Sequence, residues 1–281
     1  MFDPRQAGRA VRSAQGLVRI RLSAIVVTAA LALALGAAPA LANHSWGSYH
    51  WARTANPFPL QLGDNMTGSW DPLFQASMAD WNASSVLNMR AVAGSGGKNC
   101  KASSGRVEVC NGKYGFNGWL GLAQIWISGS HIVQGVAKMN DSYLASSGYG
   151  SVARQHVLCQ EVGHTFGLDH QDESGDDLDT CMDYDSALSN PSPNSHDYSQ
   201  LGTIYSHFDG FNSYTTVEPV SGGGKGGGKG GGGNKGGNGN GNGLNRVSDD
   251  LWVEDLGQGR KRYVFVFWAE PGKPHGPPPG A

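Results

Sequence analysis

Hydrophobic and polar positions divide the chain into stretches of different period. Phe58-Pro-Leu-Gln-Leu62 alternates like a strand and runs into Gly63-Asp64, a turn signal. Trp70, Leu73, Phe74, Met78 and Trp81 recur every three or four residues, which predicts a helix over 69–82 with Ser69 as its cap. Four segments rich in β-branched and aromatic residues, 86–92, 106–110, 120–127 and 131–139, are strand candidates. Helical spacing returns over 151–166. Strand, helix, several strands and a long helix predict an α/β or α+β fold with one sheet.

The pattern changes abruptly after residue 220. From Ser221 to Gly243 every residue after the serine is Gly, Asn or Lys, so this stretch builds no core and is expected to act as a flexible linker. Residues 251–256 and 263–268, joined by Gly257-Gln-Gly259, read as a β-hairpin. An isolated hairpin is marginal in water, so this one is expected to dock on the main domain or on another surface. Arg260, Lys261 and Arg262 beside its apolar strand read as gatekeepers against aggregation. Residues 271–281 are rich in Pro and Gly and read as a disordered tail.

At the other end, five arginines precede an uncharged apolar run over 22–35, followed by Ala40-Leu41-Ala42. A basic region, a short apolar region and a small-residue site describe a secretory signal peptide. The run falls short of the roughly 20 residues that span a bilayer. The expected organisation is therefore a signal peptide over 1–42, a main domain over 43–220, a linker over 221–243 and a hairpin segment over 244–281. No stable membrane insertion is expected after cleavage, and the mature chain is expected to be secreted and monomeric.

Charge follows these boundaries. The whole chain has net charge -2, but without residues 1–42 it carries 16 basic and 22 acidic side chains, or -6. That leaves no basic footprint for a nucleic-acid backbone. Eight of the acids fall within 169–185. Clustered carboxylates suit Ca²⁺, but the spacing is not that of an EF-hand, and solvated loop acids are the plainer reading. The four cysteines allow three pairings, and an oxidising compartment favours disulfides.

The segment that carries chemistry is Gln160-Glu-Val-Gly-His164-Thr-Phe-Gly167-Leu-Asp-His170. Positions 160 and 164 share one helix face and can point at one metal ion, while Glu161 reaches a water activated by it. Gly167 suits a helix end that turns the chain so that His170 joins the ligands. With Cys181-Met182-Asp183-Tyr184 downstream, the pattern resembles the metzincin clan of zinc metallopeptidases, and among them the secreted, matrixin-like forms. The resemblance implies a twisted mixed sheet, an active-site helix and a Met-turn at Met182. It also implies a ligand set of Gln160, His164 and His170, Glu161 as general base, Tyr184 beside the metal, and a closing helix over 194–205 with Asp197, Leu201 and Ile204 packing or capping. The pairing Cys159–Cys181 would tie the active-site helix to the Met-turn, which leaves Cys100–Cys110 to close a short loop.

The chain departs from that clan at position 160, where Gln replaces the first histidine, as in gametolysin-type members, which it resembles there. Zinc sites prefer N and S donors, so an amide oxygen weakens the site and extends the choice to another transition metal such as copper. His196 is the reserve ligand, ranked ahead of His156, which lies too far along the helix from His164, and of Asp169. The expected function is metal-dependent hydrolysis of peptide bonds in a peptide or protein substrate. The alternatives are a catalytically silent extracellular binding module on the same frame, and a Ca²⁺-dependent structural surface protein.

Overall fold

A computed structural model describes residues 44–172, 176–184, 188–215, 243–270 and 275–280. The signal-peptide segment and nearly all of the glycine-rich stretch lie outside these residues. The strands are β1 (His50–Trp51), β2 (Gln61–Asn65), β3 (Arg90–Ala93), β4 (Val107–Gly112), β5 (Trp119–Ser128), β6 (His131–Asn140), β7 (Leu244–Arg246), β8 (Leu251–Gly257) and β9 (Arg260–Trp268). The helices are α1 (Asp71–Trp81), the single turn α2 (Asp141–Leu144), α3 (Ser151–His164) and α4 (Ser195–Ile204).

The strands form one mixed sheet in the order β3-β2-β4-β6-β5-β9-β8-β7, with β1 alongside β6. β2, β3, β4 and β6 run parallel, β5 returns antiparallel to β6, and β9 adds antiparallel to the far side of β5. This is the expected α+β arrangement, with α1 and α3 packed together on the sheet.

One strand and one helix begin later than the pattern reads. β2 begins at Gln61 and continues through Gly63-Asp64, while Phe58 makes only an isolated bridge to Leu87. Gly63 is there for a close approach: a Cβ on it would stand 2.4 Å from Oε2 of buried Glu108 on β4. Burial alone would raise the Glu108 carboxyl, but bonds from Ser103, Asn65 and Ser95 outweigh it and hold the group below its usual value. Similarly, the helix predicted from Ser69 starts two residues later. Pro72 occupies its first turn, and Ser69 accepts a hydrogen bond from Arg154 (2.7 Å) in place of capping.

The core joins Trp51, Phe58, Phe74, Trp81, Ile125, Phe166 and their neighbours between the sheet and the helices. Residues 155–164 of α3 are all buried, because the helix is covered by the sheet on one side and by the 180–183 turn on the other. α4 begins with Asn194 and Asp197 in a reciprocal capping box. Asp197 and Leu201 are buried as expected, and Ile204 packs partly against the core.

β9 alternates between two faces. Tyr263, Phe265 and Phe267 enter the main core, whereas Val264, Val266 and Trp268 join Trp119, Leu122 and Trp252 in a second cluster. The docking that a solitary hairpin needs is thus supplied by β5. Each fully buried large apolar side chain contributes about 1.5–3 kcal/mol, so these residues hold the hairpin firmly. The tail, which composition marks as disordered, has contacts over 275–280: His275 stacks on Trp268 (centroids 3.9 Å), and the Gly280 carbonyl accepts from Lys138 Nζ (3.0 Å).

Candidate metal centre

Gln160, Glu161 and His164 lie on the last turns of α3, at exposures of 0%, 1% and 1%. The amide of Gln160 is oriented by the turn below it: Nε2 donates to the carbonyls of Cys181 (3.0 Å) and Asp183 (2.8 Å). Its Oε1 is left buried with no hydrogen-bond partner. Glu161 Oε2 is also buried and without a partner. Burial, and then the charge of Asp250, push the Glu161 carboxyl well above the usual carboxylate range, against a bond from the Ala123 backbone. Room for this side chain comes from Gly121 on β5, where a Cβ would stand 2.4 Å from Glu161 Oε1.

His164 contacts the Leu168 carbonyl through Nδ1 (2.9 Å), which places the proton on that nitrogen and leaves Nε2 as the ligand atom. Burial, followed by the neighbouring His170, lowers its pKa to about 3, so the ring is neutral. Gly167 takes a left-handed conformation (φ +97°), and a Cβ there would stand 2.4 Å from the Tyr49 carbonyl oxygen. The chain then turns to bring the His170 ring to 4.8 Å from that of His164. Tyr184 lies nearly parallel to His170 with centroids 4.8 Å apart. Met182 sits beneath α3 so closely that a Cβ on Gly163 would meet its Sδ at 2.5 Å.

Both expected disulfides are present, Cys159–Cys181 and Cys100–Cys110. The first ties α3 to the turn that receives the Gln160 amide. Asp183 in the same turn is buried, and desolvation raises its pKa to about 6. His196, the reserve ligand, stacks on His44 (centroids 4.7 Å) and forms a His44, His196, Asp197 group on the neighbouring side of His170. His156 faces Phe267 at 5.7 Å, and the Asp169 carboxylate accepts from the His170 N–H (2.8 Å). Among the described residues, the groups of three or more candidate ligands combine His with Asp, and none is drawn from the acids of 169–185.

The sequence pattern does not reveal what lies in front of these residues. Phe265 of β9 stacks on His164 (centroids 4.5 Å, interplanar 15°). Asp250, just before β8, places Oδ2 3.0 Å from His170 Nδ1 and is 3% exposed. Burial works against its charge, but His170 and Ser248 outweigh it and hold the carboxyl well below its usual range. Asp250 and Phe265 are far from the motif in sequence, and no spacing signals their approach.

The donor types are ones a transition metal takes through nitrogen and oxygen: a neutral imidazole with Nε2 free of its backbone contact, a second imidazole nearby, and an orphaned amide oxygen on the same helix face. No described helix is long and apolar enough to cross a membrane. No family model matches the chain, and no curated protein matches it. Among solved structures the chain is similar to one described as "Structure of myroilysin", at 12% identity over 56% of this chain and 96% of that chain, with a TM-score of 0.32, a likeness too distant to bear on fold or chemistry.

Proposed function

We propose that the chain is an exported metal-dependent endopeptidase in which Gln160, His164 and His170 hold the ion. Two buried, unpartnered oxygens, Gln160 Oε1 and Glu161 Oε2, on the helix turn that also carries His164 are the observation that supports this reading most. A zinc-type ion, when bound, supplies Lewis acidity and lowers the pKa of a coordinated water to about 7. Glu161 then accepts a proton at its carboxylate and returns it to the departing amine. Its raised proton affinity suits both halves of that exchange. Tyr184, stacked on His170, holds that ring and offers its phenol to the developing oxyanion. The two disulfides suit an oxidising, extracellular setting.

A second reading, a catalytically silent binding module, is favoured by one observation: the chain's own hairpin covers the site. Elemental analysis of the purified protein, with peptide hydrolysis assayed before and after cleavage within 221–243, separates the two. The peptidase reading expects stoichiometric metal and hydrolysis that chelation and Glu161→Gln both abolish. Absence of metal from both the native and the Gln160→His protein would overturn it.

A further inference from the structure

Away from that site, three histidines converge on one carboxylate oxygen. His50 on β1 and His131 on β6 are register partners in adjacent parallel strands. His207 and Asp209 follow α4. Asp209 Oδ2 is held by the Arg53 N–H (3.0 Å) and guanidinium (3.1 Å). Its Oδ1 is left facing Nε2 of His131 (3.1 Å), His50 (3.4 Å) and His207 (3.8 Å). His50 and His207 also bring their Nε2 atoms to 3.2 Å from each other.

The His131–Asp209 contact is an ordinary hydrogen bond, but the His50–Asp209 contact is not. His50 Nδ1 lies 2.7 Å from the Ser48 carbonyl, which only accepts, so the proton sits on Nδ1 and Nε2 is bare. A bare nitrogen facing a carboxylate oxygen at 3.4 Å gains nothing from that contact, whereas a cation between them would engage both. Donors about 2.0–2.2 Å from a tetrahedral ion stand roughly 3.2–3.6 Å from one another, close to the separations here. A backbone carbonyl behind His50 and an arginine behind Asp209 supply the outer bonds that orient such ligands. His207, with a side chain 56% exposed, opens the cluster to solvent.

We propose that His50, His207 and Asp209 form a second, zinc-type metal site that ties the first strand to the segment after α4, with His131 bonded to the Asp209 carboxylate beside it. Three protein donors leave the fourth position to solvent on the open side at His207. This does not depend on the peptidase reading. The test is zinc content after saturation and dialysis, for the native chain, His207→Ala and His164→Ala. His207 is exposed, so its loss leaves the fold intact. His207→Ala should carry one equivalent less than the native protein and lose most of the zinc-induced rise in thermal midpoint, and His164→Ala should keep the second equivalent. Cobalt in His164→Ala should give a tetrahedral d–d spectrum that His207→Ala abolishes in the same background. Equal zinc content and equal midpoint shifts in native and His207→Ala protein would overturn the proposal.

The hairpin carries a separate inference, which rests on the peptidase reading. β5 is the last strand of the main domain's sheet, and an open strand edge is where an extended peptide adds by backbone pairing. β9 takes that edge from Trp119–Trp268 to Ser128–Arg260. From the same segment, Phe265 covers His164 and Asp250 engages His170. We infer that the hairpin is an inhibitory segment of the same chain occupying the peptide-binding edge, so that substrate gains the edge only when β9 is displaced from β5. The full chain bearing Asp250→Ala and Phe265→Ala tests it. Amide exchange across β5 should accelerate and hydrolysis should rise tenfold or more, while Leu256→Ala, at an exposed site, changes neither. Unchanged β5 exchange, or faster exchange with unchanged measurable hydrolysis, would overturn the inhibitory role. Faster exchange with no hydrolysis by a zinc-loaded protein would overturn the peptidase reading instead.

Discussion

Gly121 and Glu161 lie so close that a single methyl group on the glycine would stand 2.4 Å from the carboxylate Oε1 and 2.6 Å from Val157 Cγ1. The strand beside α3 is thus cut away where the proposed general base needs space. Gly121→Ala should displace Glu161 and cost about 1–3 kcal/mol through overpacking. General-base catalysis contributes about 10²-fold or more, so hydrolysis by tether-cut protein should fall by that order while zinc content holds. A full rate in Gly121→Ala would remove Glu161 from that role.

Gln160 joins two functions in one amide, since Nε2 supports the turn while Oε1 stays free. Gln160→Ala should destabilise the protein by about 1–3 kcal/mol in urea unfolding, because two buried carbonyls lose their donor. Gln160→His should show a similar loss yet bind zinc more tightly in a competition titration, since an imidazole replaces an amide oxygen. Unaltered stability in both variants would show that the turn does not rely on this amide.

The Cys159–Cys181 bridge closes a separation of 22 residues, and Cys100–Cys110 one of 10. Chain entropy puts the first at about 3 kcal/mol and the second at roughly 0.7 kcal/mol less. Replacing each pair by serine and comparing denaturant midpoints checks both the size and the order.

Lys138 on β6 is buried beneath the tail, and desolvation, then Arg262, lower its pKa from 10.5 to about 8. Between those values the folded state binds fewer protons than the unfolded chain, so stability through this group rises with pH across that window and its penalty is complete below it. Lys138→Met should therefore be more stable than the native protein at pH 7, with the gap narrowing from pH 8 towards 10.5. A gap that stays constant with pH in thermal melts would exclude the lysine as its source.

Much of this molecule is legible locally. The three- and four-residue spacing of Trp70, Phe74 and Met78 marks α1, and the aromatic and β-branched run from Tyr263 to Trp268 marks a strand. The spacing of Gln160, His164 and His170 marks the candidate metal centre, because each feature depends on residues within one or two turns. Glycine is ambiguous in the same sequence. Gly63 and Gly121 carry no sign that they serve close approach, since the side chains they admit, Glu108 and Glu161, come from other elements.

The local pattern of the chain determined which segments become helices and strands, and which few residues carry ligand chemistry. Only the tertiary structure decided that β9 covers β5, that Phe265 and Asp250 stand before His164 and His170, and that His50, His131 and His207 meet at one oxygen of Asp209. Helical and strand periods are set by the backbone geometry of neighbouring residues, whereas these meetings depend on strand pairing between distant segments, which no local period encodes.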